Sequence, residues 1–313
     1  MPSEKREPRI VFMGTPEFAV ASLDAILEAG FSVVAVVTAP DKPAGRGMQL
    51  TESAVKKYAR EKGLPILQPE KLRDPGFLER LRELRADLQI VVAFRMLPEV
   101  VWNMPPMGTV NLHGSLLPQY RGAAPINWAV INGEKETGVT TFQLLHDIDT
   151  GSILLQDRFP IADTDTAGDV HDRMMVIGAR LLVRTIEGLA AGSLRSTPQE
   201  NPAGLKHAPK IFAETGRIDW TKPTVEVYNL IRGLSPFPAA HTSLDGKMLK
   251  IYRAEKDIHV LAPDVAPGVY DTDGKTYLRF ATADGYIRVT EIQLEGKKRM
   301  PVGDFLRGYR FNS

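Results

Sequence analysis

The sequence contains no cysteine, which excludes disulfides and thiolate metal sites. Any chemistry must come from histidine, carboxylate, amide or backbone groups, and we expect no metal. A chain without cysteine also fits a reducing compartment, so we expect a cytoplasmic protein. No apolar run approaches the length of a membrane-spanning helix, and the segment 1–9 is short and charged, without the apolar core of a secretory signal. We therefore expect no association with a membrane.

The net charge is also small, +1 over 313 residues, but positive and negative residues are unevenly distributed along the chain. From Gly204 onward there are 17 Lys and Arg against 13 Asp and Glu, an excess of +4, whereas the preceding part carries −3. This excess permits nucleic acid as a partner of the C-terminal part without requiring it, because a solvated charged face is the default. With 43% hydrophobic and 25% charged residues, the chain can bury a core in each of two domains.

A glycine-rich phosphate-binding loop is missing as well. Residues 9–13 form an apolar run, residues 17–29 carry apolar side chains at helical spacing, and residues 31–38 form a valine-rich run, which together predict a βαβ unit. The turn Gly14-Thr15-Pro16-Glu17-Phe18 lacks the Gly-x-Gly-x-x-Gly spacing that brings a pyrophosphate against a helix start. A nicotinamide cofactor is therefore disfavoured.

The same alternation continues along the chain. Helices are predicted over 53–62 and 77–85, and strands over 65–67, 88–94, 110–113, 138–145 and 153–161. The pattern predicts an α/β fold with a doubly wound, mostly parallel, Rossmann-like sheet. A long amphipathic helix over 166–191, with Thr166 and Asp169 at capping-box spacing, closes this first domain. The loop over 39–50 is long enough to be a lid or a binding loop, although a solvated connector fits it equally well.

The pattern changes after residue 191. Residues 192–209 are rich in Ser, Pro, Gly and Asn without an apolar period, which predicts a linker. One helix over 225–234 then precedes short strands separated by three Asp-Gly pairs, which are typical hairpin turns. We therefore predict a first domain over 1–191, a linker over 192–209 and a small OB-like β-barrel domain over 210–313.

Two polar side chains stand out near the end of a predicted strand. Asn111 and His113 alternate with Val110 and Leu112, so both polar side chains leave the same face. Glycines and prolines then force an irregular loop over 114–125. Since ligands of α/β proteins bind beyond the carboxyl ends of strands, this is a candidate active-site rim. An isolated Asn-x-His also fits a turn in which the side chains satisfy backbone groups.

A third polar residue, Asp149, follows the strand predicted over 138–145. If Asn111, His113 and Asp149 converge, the amide can donate to an oxyanion, the imidazole can move a proton, and the carboxylate can hold the imidazole in place. This set suits attack on a carbonyl carbon. No serine or cysteine lies in a nucleophile-elbow motif, so direct transfer between two bound substrates is favoured over an acyl-enzyme.

Further motifs accompany these residues: Ser115-Leu116-Leu117-Pro118, Tyr120-Arg121-Gly122-Ala123-Ala124-Pro125 and Asp149-Thr150-Gly151. Together with Asn111-x-His113 they resemble the 10-formyltetrahydrofolate-dependent formyltransferases. The resemblance spans nearly the whole chain, through Gly14-Thr15-Pro16, Pro40-Asp41-Lys42-Pro43-Ala44-Gly45-Arg46-Gly47 and Arg217-Ile218-Asp219-Trp220. One departure lies before the Asn, where the family usually has Val-Ala-Tyr-Gly and this chain has Val92-Ala93-Phe94-Arg95, which adds bulk and charge on the pterin side of the pocket.

The resemblance implies transfer of a formyl group from 10-formyltetrahydrofolate to initiator methionyl-tRNA. The amino group of methionine would attack the formyl carbon, Asn111 and His113 would steady the tetrahedral oxyanion, and Asp149 would support His113 and proton transfer. The first domain would then be catalytic and the second would bind tRNA.

The resemblance also implies which residues contact the two substrates. The folate site would be lined by Ser115, Leu116, Leu117 and Pro118. Contacts to tRNA would come from Arg46 and Lys42 in the long loop, which would enter the acceptor stem, and from Lys210 in the interdomain region. We expect the protein to act as a monomer.

Three alternatives stay open on the residues alone. The same catalytic set would serve a small amine acceptor, such as a purine-precursor ribonucleotide or an amino sugar nucleotide. Water in place of an amine would give a formyl-folate deformylase. A non-catalytic nucleic-acid module built on the barrel is the third alternative.

Overall fold

A computed structural model describes residues 7–44, 49–145, 149–200, 202–257 and 265–311. The chain folds into two compact units. The first takes its residues from Met1–Arg121, Gly138–Arg158 and Asp172–Lys206, and the second from Gly122–Thr137, Phe159–His171 and His207–Ser313.

Strands and helices are interspersed up to the end of the long helix, broadly as the sequence predicts. In chain order they are β1 (Ile10–Gly14), α1 (Glu17–Glu28), β2 (Val33–Val37), β3 (Lys42–Ala44), β4 (Gln49–Thr51), α2 (Ala54–Glu61), β5 (Ile66–Leu67), α3 (Pro75–Glu83), β6 (Leu88–Val92), α4 (Glu99–Trp102), β7 (Thr109–His113), β8 (Arg121–Gly122), α5 (Pro125–Ile131), β9 (Glu136–Gln143), β10 (Ile153–Pro160) and α6 (Ala167–Ala191).

The remaining elements are mostly short strands. They are β11 (His207–Ala208), a 3-10 turn (Ala213–Gly216), α7 (Thr224–Leu234), β12 (Ala240–Leu244), β13 (Lys247–Asp257), β14 (Tyr270–Thr272), β15 (Leu278–Ala281), β16 (Tyr286–Leu294), β17 (Met300–Pro301) and α8 (Val302–Gly308). No helix in the described part of the chain is long and apolar enough to cross a membrane.

The first unit is built on a seven-stranded sheet with the order β10-β9-β7-β6-β1-β2-β5. The pairs β6–β7, β1–β6, β1–β2 and β2–β5 are parallel, and β9 runs antiparallel to β7. The predicted doubly wound, mostly parallel sheet is therefore confirmed. The parallel arrangement aligns the carboxyl ends of β2, β5, β6 and β7 along one edge, where ligands bind in this class of fold.

Strands β1 and β2 are apolar along their whole length because both faces of the sheet are covered. On one face, Val11 and Met13 pack in a cluster that includes Phe77 of α3. On the other face, α6 approaches β7 closely, since a Cβ on Gly178 would lie 3.0 Å from Leu112. Leu112 thus anchors β7 to α6, and the opposite face of β7 is left to Asn111.

Helix α6 begins where the capping-box spacing predicts. The backbone amide of Asp169 donates to Oγ1 of Thr166 at 3.2 Å, and the backbone amide of Thr166 donates to the Asp169 carboxylate at 2.8 Å. Both amides would otherwise lack an intrahelical acceptor.

Several short elements were not predicted from the sequence, among them β3, β4 and α5. The predicted loop over 39–50 holds β3 and the start of β4, and the two strands form a hairpin in which Lys42 pairs with Thr51. Helix α5 follows the Gly and Pro-rich loop and spans only seven residues. These elements are too short for apolar periodicity to reveal them.

The second unit holds an antiparallel sheet with the order β12-β13-β16-β15-β14, to which β17 adds beside β16. The predicted Asp245-Gly246 hairpin joins β12 and β13, with φ of 49° and 78°, as this turn requires. Helix α7 buries Val227 and Ile231 in the apolar core of this sheet. The curled antiparallel sheet confirms the predicted OB-like domain.

Candidate active site

Strand β7 carries the two polar side chains predicted from the sequence. It lies between β6 and β9, with Asn111 opposite Phe142 and His113 opposite Thr140 on β9. His113 is buried and Asn111 is half-buried. Within the described residues the Asn111 amide group makes no side-chain hydrogen bond. An amide of this kind can donate two N–H hydrogens to a ligand.

The contacts of His113 define the roles of its two ring nitrogens. Nε2 lies 2.9 Å from the carbonyl oxygen of Tyr120, and because a carbonyl only accepts, Nε2 carries the hydrogen and donates it. Nδ1, which holds the lone pair whenever the ring is neutral, faces Oδ2 of Asp149 at 3.9 Å. The ring can therefore take up a proton on the side of the Asp149 carboxylate.

The two residues whose oxygens face the ring nitrogens of His113 have left-handed backbone. Tyr120 has φ of 58° and Asp149 has φ of 54°, a region that residues other than glycine seldom adopt. Such conformations persist only where surrounding contacts enforce them, and they concentrate at functional sites. The strain thus coincides with the two groups that orient His113.

Gln199 is a residue that sequence reasoning missed. Its Nε2 donates to the carbonyl oxygens of Asp149 and Gly151, each at 2.8 Å. Its Oε1 accepts from Nε and Nη2 of Arg121 at 3.1 and 2.7 Å. Gln199 lies in the segment predicted as a linker, and no local pattern marks it, because its partners are 48 or more residues away.

Gly151 is required where it stands. A Cβ at this position would lie 1.6 Å from the carbonyl oxygen of Gln143, inside any allowed contact. The Asp149-Thr150-Gly151 segment can therefore approach the end of β9 only with glycine at its third position.

The segment after His113 is fixed by a buried hydroxyl. Oγ1 of Thr140 donates to the carbonyl oxygen of Ser115 at 2.7 Å and accepts from the backbone amide of Leu117 at 3.1 Å. Gln156 donates to the Leu117 carbonyl oxygen at 2.9 Å. Ser115 is fully buried, and its own hydroxyl donates to the Gln119 carbonyl oxygen at 2.6 Å. This segment therefore offers a ligand its backbone and the half-buried Leu116 and Pro118 rather than the serine hydroxyl.

Arg95 bonds to the backbone of the loop after β5. Its Nη1 donates to the carbonyl oxygen of Glu70 at 2.8 Å, and Nη2 donates to that of Pro69. The guanidinium also lies 5.5 Å from the centre of the Phe94 ring, and partial burial lowers the pKa of Arg95. The bulk and charge that Arg95 adds are thus bound by the loop after β5.

The three predicted tRNA contacts lie in different places. Lys42 is exposed at the start of β3 in the first unit. Arg46 lies outside the described residues. Lys210 is exposed in the second unit, with its ammonium 5.6 Å from the centre of the Phe212 ring.

The geometry suits chemistry at a carbonyl carbon. Asn111 and His113 present hydrogen-bonding groups on one face of β7, and the Asp149 carboxylate faces the imidazole from a neighbouring loop. Within the described ranges, no three His, Asp or Glu side chains cluster closely enough to hold a metal ion.

Comparison with known proteins assigns the family. Residues 8–186 match the formyl transferase family model, and residues 210–310 match that of the formyl transferase C-terminal domain. The methionyl-tRNA formyltransferase of Parabacteroides distasonis is 58% identical over 98% of this chain and 97% of its own length. That of Bacteroides fragilis is 55% identical over 98% of this chain and 96% of its own length.

A solved structure shares the fold. WlaRD, a sugar 3N-formyl transferase whose crystal structure was determined in the presence of dTDP and 5-N-formyl-THF, superposes with a TM-score of 0.67. It is 20% identical and covers 94% of this chain and 100% of its own. From both family models and from relatives of more than 50% identity over nearly the full length, the chain belongs to the formyl transferase family.

Proposed function

We propose that the protein transfers the formyl group of 10-formyltetrahydrofolate to the amino group of methionine on initiator methionyl-tRNA. The observation that carries the proposal is the arrangement at the end of β7, where buried His113 has its Nδ1 3.9 Å from Asp149 and shares a strand face with Asn111. The names of the relatives at 50–58% identity supply the acceptor.

The reaction forms a bond from the acceptor nitrogen to the formyl carbon and breaks the bond from that carbon to N10 of the folate. The amine loses one proton and N10 gains one. Asn111 donates to the oxygen that becomes negative in the tetrahedral intermediate. Nδ1 of His113 takes up or passes on the proton, and the Asp149 carboxylate favours the charged imidazolium while the proton resides there.

The folate co-substrate is assigned to the loop 115–118, next to His113. Leu116 and Pro118 supply apolar surface, and the backbone supplies hydrogen-bonding groups, since the Ser115 hydroxyl is already used. The 5-N-formyl-THF with which WlaRD was crystallised supports a folate donor in this fold.

Thr140→Val tests the folate assignment. Valine keeps the shape but removes the hydroxyl that holds Ser115 and Leu117, so we expect a loss of about 1–3 kcal/mol of folding stability and weaker donor binding. Thr141→Val is the matched control, because its hydroxyl pairs with Thr185 at 2.8 Å, away from the loop. Urea unfolding and titration with a formyl-folate measure the two effects. Equal donor affinity in the two variants would contradict the assignment.

The acceptor is assigned to cations outside the catalytic set, Lys42, Arg46 and Lys210. We expect Arg46→Ala to impair use of tRNA while leaving donor binding intact, because a cation outside the catalytic set acts only through the phosphate or base that it contacts. Arg73→Ala, which removes an exposed arginine elsewhere in the first unit, is the control. Steady-state kinetics with varied tRNA measure the effect. Wild-type kinetics for Arg46→Ala would mean that the residues between β2 and α2 are a solvated connection that does not bind tRNA through Arg46.

The decisive experiment is an acceptor assay on the purified protein. Incubation with 10-formyltetrahydrofolate and methionyl-tRNA should give formyl-methionyl-tRNA and tetrahydrofolate, with little turnover when tRNA is omitted. Equal donor consumption without tRNA would instead indicate a deformylase. Transfer to an amino sugar nucleotide or a purine precursor but not to tRNA would indicate a small-amine formyltransferase.

We place the reaction in the cytoplasm, since its acceptor serves translation initiation, and we treat the enzyme as a monomer. Light scattering coupled to size-exclusion chromatography should give the mass of one chain, 34.6 kDa. A dimer at working concentrations would contradict this part of the proposal.

A further inference from the structure

Three loops of the first unit are joined by side-chain hydrogen bonds at the carboxyl edge of the sheet. Gln68, after β5, donates both hydrogens of Nε2 to the loop after β2: one to the carbonyl oxygen of Ala39 and one to Oδ1 of Asp41, each at 2.8 Å. Because the same amide holds a backbone oxygen and a carboxylate two residues apart, it fixes the direction in which the chain leaves β2.

Lys56 on α2 completes the arrangement. Its ammonium lies 2.5 Å from the second oxygen of Asp41 and 3.3 Å from the carboxylate of Glu52. Arg60 also contacts Glu52, at 2.6 Å. The Lys56 ammonium and the Gln68 amide lower the pKa of Asp41, and the Asp41 carboxylate raises the pKa of Lys56, so the pair stays charged at neutral pH.

The two carboxylates held by Lys56 stand at the two ends of one hairpin. Asp41 immediately precedes β3, and Glu52 immediately follows β4. Lys56 therefore joins the two ends of the β3–β4 hairpin through Asp41 and Glu52. Gln68, in the loop after β5, holds Asp41 from the other side. The hairpin has strands of only three residues each, too short to hold a direction without support at its base.

The loop that carries Gln68 is itself held by a residue that follows β6. Arg95, after β6, donates to the carbonyl oxygens of Pro69 and Glu70, which follow Gln68 directly. Arg95 thus holds the backbone that directly follows Gln68.

We propose that Lys56 and Gln68 are positioning residues that set the direction of the β3–β4 hairpin for the RNA acceptor. The proposal rests on the proposed function, because the acceptor is taken to be methionyl-tRNA. Neither residue belongs to the catalytic set. Their effect is therefore on productive binding of the large acceptor and not on the folate donor or the chemical step.

Lys56→Met is the main variant, because it keeps the length of the side chain and removes the charge that joins Asp41 to Glu52. We expect the KM for methionyl-tRNA to rise about tenfold, with the KM for the donor unchanged and kcat nearly unchanged. Lys56→Arg should restore most of the tRNA affinity, and Gln68→Glu, which sets a carboxylate against Asp41, should repeat the defect. Lys57→Met, an exposed lysine on the same helix, is the matched control.

A second measurement needs no substrate. Hydrogen exchange of the unliganded protein should be faster over residues 38–43 and 50–53 in Lys56→Met than in the wild type or in Lys57→Met. Unchanged exchange, an unchanged KM for tRNA, or a parallel rise in the donor KM would each overturn the proposal. If the wild type failed to formylate methionyl-tRNA, the proposed function would fall, while the exchange data would still decide whether Lys56 holds the hairpin.

Discussion

Asn111→Ala should lower the rate of formyl transfer by about 10²–10³-fold, because loss of one oxyanion donor costs about 2.7–4 kcal/mol of transition-state stabilisation. The amide is half-buried on β7 and makes no side-chain hydrogen bond among the described residues, so none of these residues loses a partner when it is removed. The loss should therefore appear in kcat and not in folding or in donor affinity. Single-turnover transfer to methionyl-tRNA, with both substrates saturating, measures it.

The control for this prediction is Asn103→Ala, which removes an exposed asparagine at the end of α4. It should transfer formyl groups at the wild-type rate. Equal losses of rate and of donor affinity in Asn111→Ala would mean that the amide binds the ground state and does not act on the oxyanion.

Asp149→Asn should lower kcat by about 10²-fold or more, in the range that a positioned proton-transfer group contributes. Asparagine keeps the shape of the side chain but removes the negative charge that faces Nδ1 of His113 at 3.9 Å. The imidazolium that forms during proton transfer then lacks its counter-charge. The backbone carbonyl of residue 149 still accepts from Gln199, so the loop should keep its position.

Asp157→Asn is the matched control, because Asp157 pairs with Arg184 at 2.7 Å, away from His113. A surface pair of this kind contributes about 0–1 kcal/mol to stability, and its loss should not change the rate. The pH dependence of kcat should change in Asp149→Asn and stay as in the wild type in Asp157→Asn. An unaltered pH profile in Asp149→Asn would remove Asp149 from the proton-transfer step.

Sequence patterns of the right length predicted most of the fold. The valine-rich run that became β2 has no polar face, which only a strand covered on both sides tolerates. The Asp-Gly pair at 245–246 predicted its hairpin because few other residues adopt two successive left-handed conformations. The hairpin of β3 and β4 was not predicted, because strands of three residues are too short to show a period-2 pattern.

The site was only partly accessible to the same reasoning. Asn111 and His113 were identified because they alternate on one strand, and Asp149 entered through its motif. Gln199 and Arg95 carried no motif for their contacts, since each acts on backbone oxygens 25 or more residues away. Backbone acceptors are present at every position, so no residue type marks them in a sequence.

The sequence by itself determined the class of the sheet, the OB-like second domain, and the presence of an amide and an imidazole on one strand face. These follow from local steric and hydrophobic rules that act within a few residues. Only the tertiary structure decided that Nε2 of His113 donates to Tyr120, that Gln199 holds the Asp149 loop, and that Lys56 joins the two ends of the β3–β4 hairpin. These are hydrogen bonds and ion pairs between side chains and loops brought together by folding, and their directions depend on where each loop leaves the sheet.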